Sequence, residues 1–239
     1  MYNEEAALEA YLSSLKAEGK RSKLDYKVLI LNDGSKDRSV EIVNKYKKSM
    51  PIRLIHHKVN KGLGTTFKDL FTEVAKVTND KDIVVTMDSD NTHDPKYIKQ
   101  MVRLIEDEGY DLIIASRYAK GGGERGFAWY RSLLSRSLAF LMRLAFPING
   151  VQDYSSGYRA YRASLIKKWA GKYKDKLIEA NGFPVVSEIL IKIKKTTPFK
   201  AKEIPLLLRY DLKRSPSKLK VLKTIREYIL IILRNRFFS

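Results

Sequence analysis

Two aspartates one residue apart, Asp88 and Asp90, close an apolar run in the stretch IVVTMDSDNTHDP. Carboxylates at i and i+2 can turn oxygens toward one hard cation, and Mg2+ or Mn2+ takes one or two protein carboxylates plus substrate phosphates. The pattern alone is loose, because Asp80-Lys81-Asp82 repeats it at the entry of the same predicted strand. There it reads as turn punctuation, whereas Asp88 and Asp90 stand at the strand's exit, a position that favours a metal over a polar loop. Asp33, in LNDGSKDRS, ends a second apolar run, and Ser116-Arg117 ends a third. NKGLG, with Lys61 and Gly62, lacks the spacing of a phosphate-binding P-loop and is equally well read as a helix start that needs glycine. His93 reads as a loop or cap residue, and His56 and His57 receive no role.

These residues need elements to carry them. Strands are predicted over Tyr26–Leu31, Ile52–His56, Asp82–Met87 and Asp111–Ala115. Helices alternate with them: Glu4–Glu18, ending before Gly19; one marked by Val40, Val43 and Tyr46; and one marked by Leu63, Phe67, Leu70, Phe71 and Val74. A further helix, on Ile98, Met101, Val102 and Ile105, opens at Asp94-Pro95 and closes at Gly109. Such alternation predicts an α/β fold with a mostly parallel, Rossmann-like sheet. Ligands bind beyond the carboxyl ends of such strands, so Asp33, Asp88, Asp90 and Arg117 should share one edge.

The second half changes character. Lys120–Gly126 reads as a flexible glycine-rich loop, and Leu133–Phe146 as an apolar helix accompanied by Arg131, Arg136 and Arg143. VQDYSSGYRAYR reads as a strand with turns, Pro184–Lys195 and Pro216–Arg234 as helices, and Lys202–Arg209 as one strand between them. The chain is read as one catalytic domain, residues 1–210, with an extension over 211–239.

The 239 residues carry 46 Lys and Arg against 27 Asp and Glu, a net charge of +19 that favours anionic partners. Residues 189–239 hold 14 basic and three acidic side chains. In the last helix Val221, Leu222, Ile225, Ile229 and Ile232 line one side, as in a helix lying in a membrane interface. A terminal helix packed on the domain is the plainer alternative. The longest late apolar run, Tyr228–Leu233, is far short of the ~20 residues that span a bilayer. With no cysteine, thiol catalysis, disulfides and cysteine zinc sites are excluded. No nucleic-acid recognition motif is present, and the aromatics do not interleave with a basic stripe.

The ordered motifs YNEE (Tyr2–Glu5), LNDGSKDRS, NKGLG, MDSDNTHDP and ASRYAKGG resemble the family 2 glycosyltransferases of the GT-A fold. RSLLSRSLAFLMRL, DYSSGYRAYR and SKLKVLKTIREYI look like the branch of polyprenyl-phosphate glycosyltransferases that includes dolichyl-phosphate mannose synthase. The resemblance implies that Tyr2, Glu4 and Asp33 hold the nucleotide of a GDP- or UDP-hexose, with Lys61 and Gly62 close by. It implies that Asp88 and Asp90 take Mg2+ or Mn2+ bridging the diphosphate, and that Arg117, Arg131, Ser135 and Lys218 approach the phosphate of a polyprenyl (dolichyl-type) acceptor. Arg209, Lys213 and Arg214 are further acceptor candidates.

The departures from the family are specific. Its first strand precedes Tyr-Asn-Glu and is expected to be missing here. Thr92 stands where a metal-binding glutamine is frequent, and Ser215-Pro216 where a glycine precedes SKL. Family members acting on hydroxyls keep a Glu-Asp pair, but here GFPVVSEIL offers only Glu188. A phosphate acceptor is already ionised and needs no base. The expected activity is therefore an inverting, metal-dependent transfer of mannose or glucose to a polyprenyl phosphate, by a peripheral protein at the cytoplasmic membrane face. The alternatives are transfer to a sugar hydroxyl, with Glu188 or Asp153 as base, and a non-catalytic membrane- or nucleic-acid-binding role.

Overall fold

The computed structural model describes residues 1–126, 128–213 and 221–237, and among these not the side chains of Arg131, Val221, Leu222, Lys223 and Phe237. Helix α1 (Glu5–Ser22) turns Leu8, Tyr11, Leu12 and Leu15 inward. They meet Val43 of α2 (Ser39–Lys47), Met50, and Ile52 of β2 (Ile52–His57). The expected stop before Gly19 is wrong. The helix runs on to Ser22, and glycine serves close packing, since a Cβ at position 19 would lie 2.3 Å from the Tyr26 ring. The turn comes at Lys23, whose φ of +54° is left-handed. Strand β1 (Val28–Asp33) then pairs in parallel with β2.

Helix α3 (Leu63–Val77), β3 (Ile83–Thr86), α4 (Ile98–Asp107) and β4 (Leu112–Ser116) continue the alternation. The turn before α4 opens where its sequence asks: the Asp94 side chain accepts from Lys96 N at 3.0 Å, beside Pro95. Gly109 follows the helix at φ +71°. Every residue of β4 is buried. Leu112 and Ile114 enter one apolar cluster, and Ile113 and Ala115 enter the other on the opposite face. A strand covered on both faces carries an unbroken apolar run rather than an alternating one.

The second half supplies β5 (Gly123–Arg125), α5 (Trp129–Ala145), β6 (Arg159–Arg162), α6 (Ala163–Tyr173), α7 (Val185–Lys194), β7 (Ala201–Pro205), β8 (Leu207–Arg209) and α8 (Val221–Phe237). The central sheet has the order β3-β6-β4-β7. β7 is parallel to β4, as β8 is to β5, but β6 runs antiparallel to both β3 and β4. The reversal has a local cause. The preceding segment is fixed beyond the carboxyl end of β4, where Asp153 binds Arg117, so β6 runs back from it. Because β3 and β4 both oppose β6, their carboxyl ends fall on the same edge. Among the described residues no ladder joins β1 to β3.

Several sequence expectations change. Helix α6 has no counterpart in the sequence reading, although Leu165, Ile166 and Trp169 are buried on it. The glycine-rich segment is pinned rather than free: Gly123–Arg125 pairs with β8, and Glu124 is held by Arg117. The single strand Lys202–Arg209 is two, because Leu206 passes the chain from the β4 partner to the β5 partner. In α8 the buried residues are Thr224, Tyr228, Ile231 and Asn235, while Ile229, Leu230 and Leu233 are exposed. Of the expected stripe, Ile229 is exposed while Ile232 packs against the core, and the side chains of Val221 and Leu222 lie outside the described residues; α8 packs on the domain while keeping an apolar outer surface.

Candidate active site at the strand ends

The first two motifs are stitched together by their own polar groups. Asn3 N donates to Ser35 Oγ at 3.0 Å, and Lys36 N to Asn3 Oδ1 at 2.9 Å. Glu4 N donates to Ser39 Oγ at 2.9 Å, and Arg38 N to Glu5 Oε2 at 2.9 Å. These bonds hold Tyr2 and Glu4 beside the end of β1. Asp33, at that end, receives Lys61 N at 2.8 Å and Gly62 N at 2.9 Å on its two oxygens. Burial pushes this carboxyl up, but the His57 ring and the two N–H groups outweigh it and hold Asp33 below the usual range. Tyr2, Glu4, Asp33, Lys61 and Gly62 are thus one cluster.

The second cluster follows β3. Asp90 Oδ1 receives Thr92 N at 3.2 Å and Thr92 Oγ1 at 2.6 Å, and Lys213 Nζ donates to Oδ2. Thr92 therefore orients Asp90, the role its short side chain can reach. Asp88 N donates to His93 Nδ1 at 3.0 Å, and the His93 ring stacks on Tyr158 at 5.0 Å between centroids. His93 Nε2 faces Asp88 Oδ2 at 3.8 Å, so His93 shapes the loop, as its sequence position suggested. Asp88 is held above the ordinary carboxylate range by desolvation and by the charges of Asp90 and Glu4, against the pull of His93 and Lys213. Asp90 is held below it, because Lys213 and Thr92 overcome its burial.

This donor set fits a hard divalent ion. Asp90 already attracts a cationic side chain, and Asp88, half exposed at 54%, offers a second carboxylate two residues away. Among the described residues no group of three His, Cys, Asp or Glu forms a metal cluster. Asp88 and Asp90 would leave the remaining positions to substrate oxygens and water, as Mg2+ and Mn2+ prefer. Asp80 and Asp82 serve a turn instead: Lys167 Nζ binds Asp80 at 2.8 Å and Asn79 N binds Asp82 at 2.7 Å.

The third cluster follows β4. Arg117 forks onto Asp153 with Nε and Nη2, both at 2.9 Å, and adds Glu124 at 2.9 Å and Ser155 Oγ at 2.6 Å. Every nitrogen of its guanidinium makes a bond to the protein, and Nη1 keeps one further N–H. Ser135 Oγ accepts from the Tyr118 hydroxyl at 2.9 Å. Between Arg117 and α5 lies a cavity of about 410 Å3, with Tyr118, Arg136, Phe140, Arg143 and Gln152 in its lining. Residues 153–157 join this rim to the acidic one, for a Cβ at Gly157 would lie 3.7 Å from Asp88 Oδ1. Arg131 lies on α5 with its side chain outside the described residues; Arg214 and Lys218 also lie outside them.

The two alternative bases are both committed. Asp153 is fully buried, and although burial pushes its carboxyl up, Arg117 and Ser155 hold it below the usual range. Glu188, also fully buried, receives Ala180 N at 2.8 Å, Lys192 at 2.9 Å and Arg234 at 2.8 Å. Arg209 is paired with Asp211 at 2.9 Å. The sequence reading missed Glu124 as a partner of Arg117 and Arg136 and Arg143 as cavity lining, since helical phase alone did not show which face of α5 meets β4.

Comparison with known proteins agrees with this geometry. The model of the glycosyl transferase family 2 matches residues 1–170. A dolichol-phosphate mannosyltransferase of Pyrococcus furiosus is 32% identical over 236 residues, which are 98% of this chain and 61% of the relative. A polyprenol monophosphomannose synthase of Mycolicibacterium smegmatis is 31% identical over 143 residues, 59% of this chain and 52% of the relative. The chain thus spans about three fifths of the length of the first and half of the second. The fold is shared with glucosyl-3-phosphoglycerate synthase of Mycobacterium tuberculosis, solved with Mg2+ and uridine diphosphate. That structure gives a TM-score of 0.67 at 21% identity, over 100% of this chain and 78% of the other. The same synthase solved with Mn2+, uridine diphosphate and its glucosylated product gives 0.66. An α/β fold with its motifs gathered at one strand-end rim, and a family match over most of its length, make this chain a member of glycosyl transferase family 2.

Proposed function

We propose that the protein is an inverting glycosyltransferase that moves mannose or glucose from a GDP- or UDP-sugar to a polyprenyl phosphate at a membrane surface. The observation that carries this reading is the juxtaposition of an acidic pair and an arginine-lined cavity across residues 153–157. Asp33, with the Lys61–Gly62 backbone, Tyr2 and Glu4, would hold the nucleoside. Asp88 and Asp90 would hold Mg2+ or Mn2+, which when bound neutralises the charge growing on the departing diphosphate. Arg136 and Arg143 would draw the acceptor phosphate into the cavity, with Arg131, Ser135 and Lys218 as further contacts. Arg117 would act by fixing the rim on which that phosphate rests.

The commitment of Asp153 and Glu188 to ion pairs supports an acceptor that needs no deprotonation. The outer surfaces of α5 and α8 support the membrane. Trp129, Tyr130, Leu133, Phe140, Leu141 and Leu144 on α5 are at least half exposed, as are Ile229 and Leu230 on α8. No described helix is long and apolar enough to cross a membrane, so this surface would lie in the interface. In this reading residues 1–210 carry the chemistry, 211–239 join them to the cytoplasmic leaflet, and nucleic acid is not a partner.

The test is transfer of radiolabelled hexose from GDP-mannose, UDP-glucose and related donors to extracted polyprenyl phosphate, with and without Mg2+ or Mn2+. Metal-dependent label in the lipid phase is expected. Transfer only to water-soluble acceptors would overturn the lipid assignment.

A further inference from the structure

His57, which ends β2, is buried with 5% of its side chain exposed, yet both ring nitrogens meet carboxylates. Nδ1 lies 2.7 Å from Asp33 Oδ1, and Nε2 lies 2.9 Å from Asp69 Oδ2 on α3. A neutral imidazole has one N–H and one lone pair. It can therefore donate to only one of these aspartates and must turn a lone pair toward the other. The doubly protonated ring donates to both. Asp33 faces the ring from β1 and Asp69 from α3, while the neighbouring His56 turns to Asn32 at 3.4 Å.

The consequence reaches the nucleotide rim through Asp33. Its Oδ1 takes both His57 and Lys61 N, and its Oδ2 takes Gly62 N. Gly62 has φ +87° and begins α3, the helix that also carries Asp69. The ring thus clamps the end of β1, the 60–62 turn and α3 around a single carboxylate. We propose that His57 is a positioning residue for the donor nucleotide, which by bridging Asp33 and Asp69 holds Asp33 and the Lys61–Gly62 backbone in the geometry that receives the nucleoside. The proposal rests on the assignment of Asp33 to the nucleotide site, and it leaves the metal pair untouched.

Asp69 is the gentler handle, because its side chain is 41% exposed and lies on the far side of the ring from Asp33. Asp69→Asn keeps the shape and an acceptor oxygen but removes one of the two charges that grip the ring. Binding of UDP and of GDP in the presence of Mg2+ is measured by calorimetry at one neutral pH. His57→Gln, which can reach only one partner, should bind about tenfold more weakly than wild type, the factor carried by one charge-assisted hydrogen bond, and Asp69→Asn should fall between the two.

A readout without ligand separates this idea from the function it rests on. Hydrogen exchange at the Lys61 and Gly62 amides should be faster in His57→Gln and Asp69→Asn than in the wild type at the same pH. If neither nucleotide binds but those amides respond as described, the nucleotide assignment fails while the clamp stands. Equal nucleotide affinity in wild type and His57→Gln, or unchanged amide exchange in both variants, would overturn the clamp itself.

Discussion

Asp90 and Asp153 are two buried aspartates, each with a basic side chain on its carboxylate, and they are built for opposite purposes. Asp153 is gripped by a two-toothed guanidinium and by the backbone N–H of Ser155 and Ser156, at 3.1 and 2.9 Å. Asp90 has Thr92 on one oxygen and a single ammonium on the other, brought by Lys213 from the far end of the chain. Every partner of Asp153 is rigid and local to the rim. The Lys213 ammonium is a flexible point charge on a four-carbon stem, easily exchanged for another cation. A charge whose partners are all fixed belongs to the architecture; a charge whose partner can leave is ready for a ligand.

The comparison can be broken experimentally, most sharply at Asp90. Asp90→Ala should lower metal-dependent transfer by about a thousandfold, the scale of losing electrostatic stabilisation of a developing charge. Its melting temperature should stay near that of the wild type. A loss of stability as large as the loss of activity would erase the distinction from Asp153.

Asp153→Ala should do the reverse. Leaving the buried Arg117 without one of its two carboxylate partners, with only Glu124 remaining, costs about 3 kcal/mol in denaturant unfolding, with or without metal. The pH dependence follows the same logic. Asp153 is held below its ordinary 3.8, so its contribution is present above that value and lost as pH falls through the lower, folded one. Wild-type stability should therefore decline in acid more steeply than that of Asp153→Asn.

A smaller effect tests whether the arginine rim faces lipid. Leu141 and Leu144 are 50% and 61% exposed beside that cavity's helix. Replacing both by serine should weaken binding to anionic vesicles by about tenfold in flotation, the loss of partly buried apolar area, and leave transfer to a detergent-dispersed acceptor unchanged. The smallest shift is expected for Lys213→Met. Mn2+ affinity measured by electron paramagnetic resonance, without nucleotide, should rise about fivefold, in line with one partly exposed ion pair. Unchanged affinity would mean that Lys213 does not occupy the cation position.

Much of the first half could be read from residue order. Helix caps, apolar periodicity and strand-end polarity are local, so Asp94-Pro95, Gly109 and the runs before Asp33, Asp88 and Arg117 announced their elements. Gly19 misled, because the reason for a glycine there is the Tyr26 ring, a contact no helical pattern encodes. The second half was less legible. Arg117 was singled out for its phosphate chemistry, but its carboxylate partner lies 36 positions away and was considered only as a base.

What the sequence determined by itself is the chemistry available and the order of its carriers: acids after one strand, an arginine after another, a basic extension last. Those depend on residue type and on contacts within a few positions. Tertiary structure alone decided which charges are spent. It set Arg117 on Asp153, Arg234 on Glu188, His57 between Asp33 and Asp69, and Lys213 on the acid pair. A side chain's partner, and therefore its freedom to bind anything else, depends on what long-range packing brings within hydrogen-bonding distance, and sequence spacing carries no record of that.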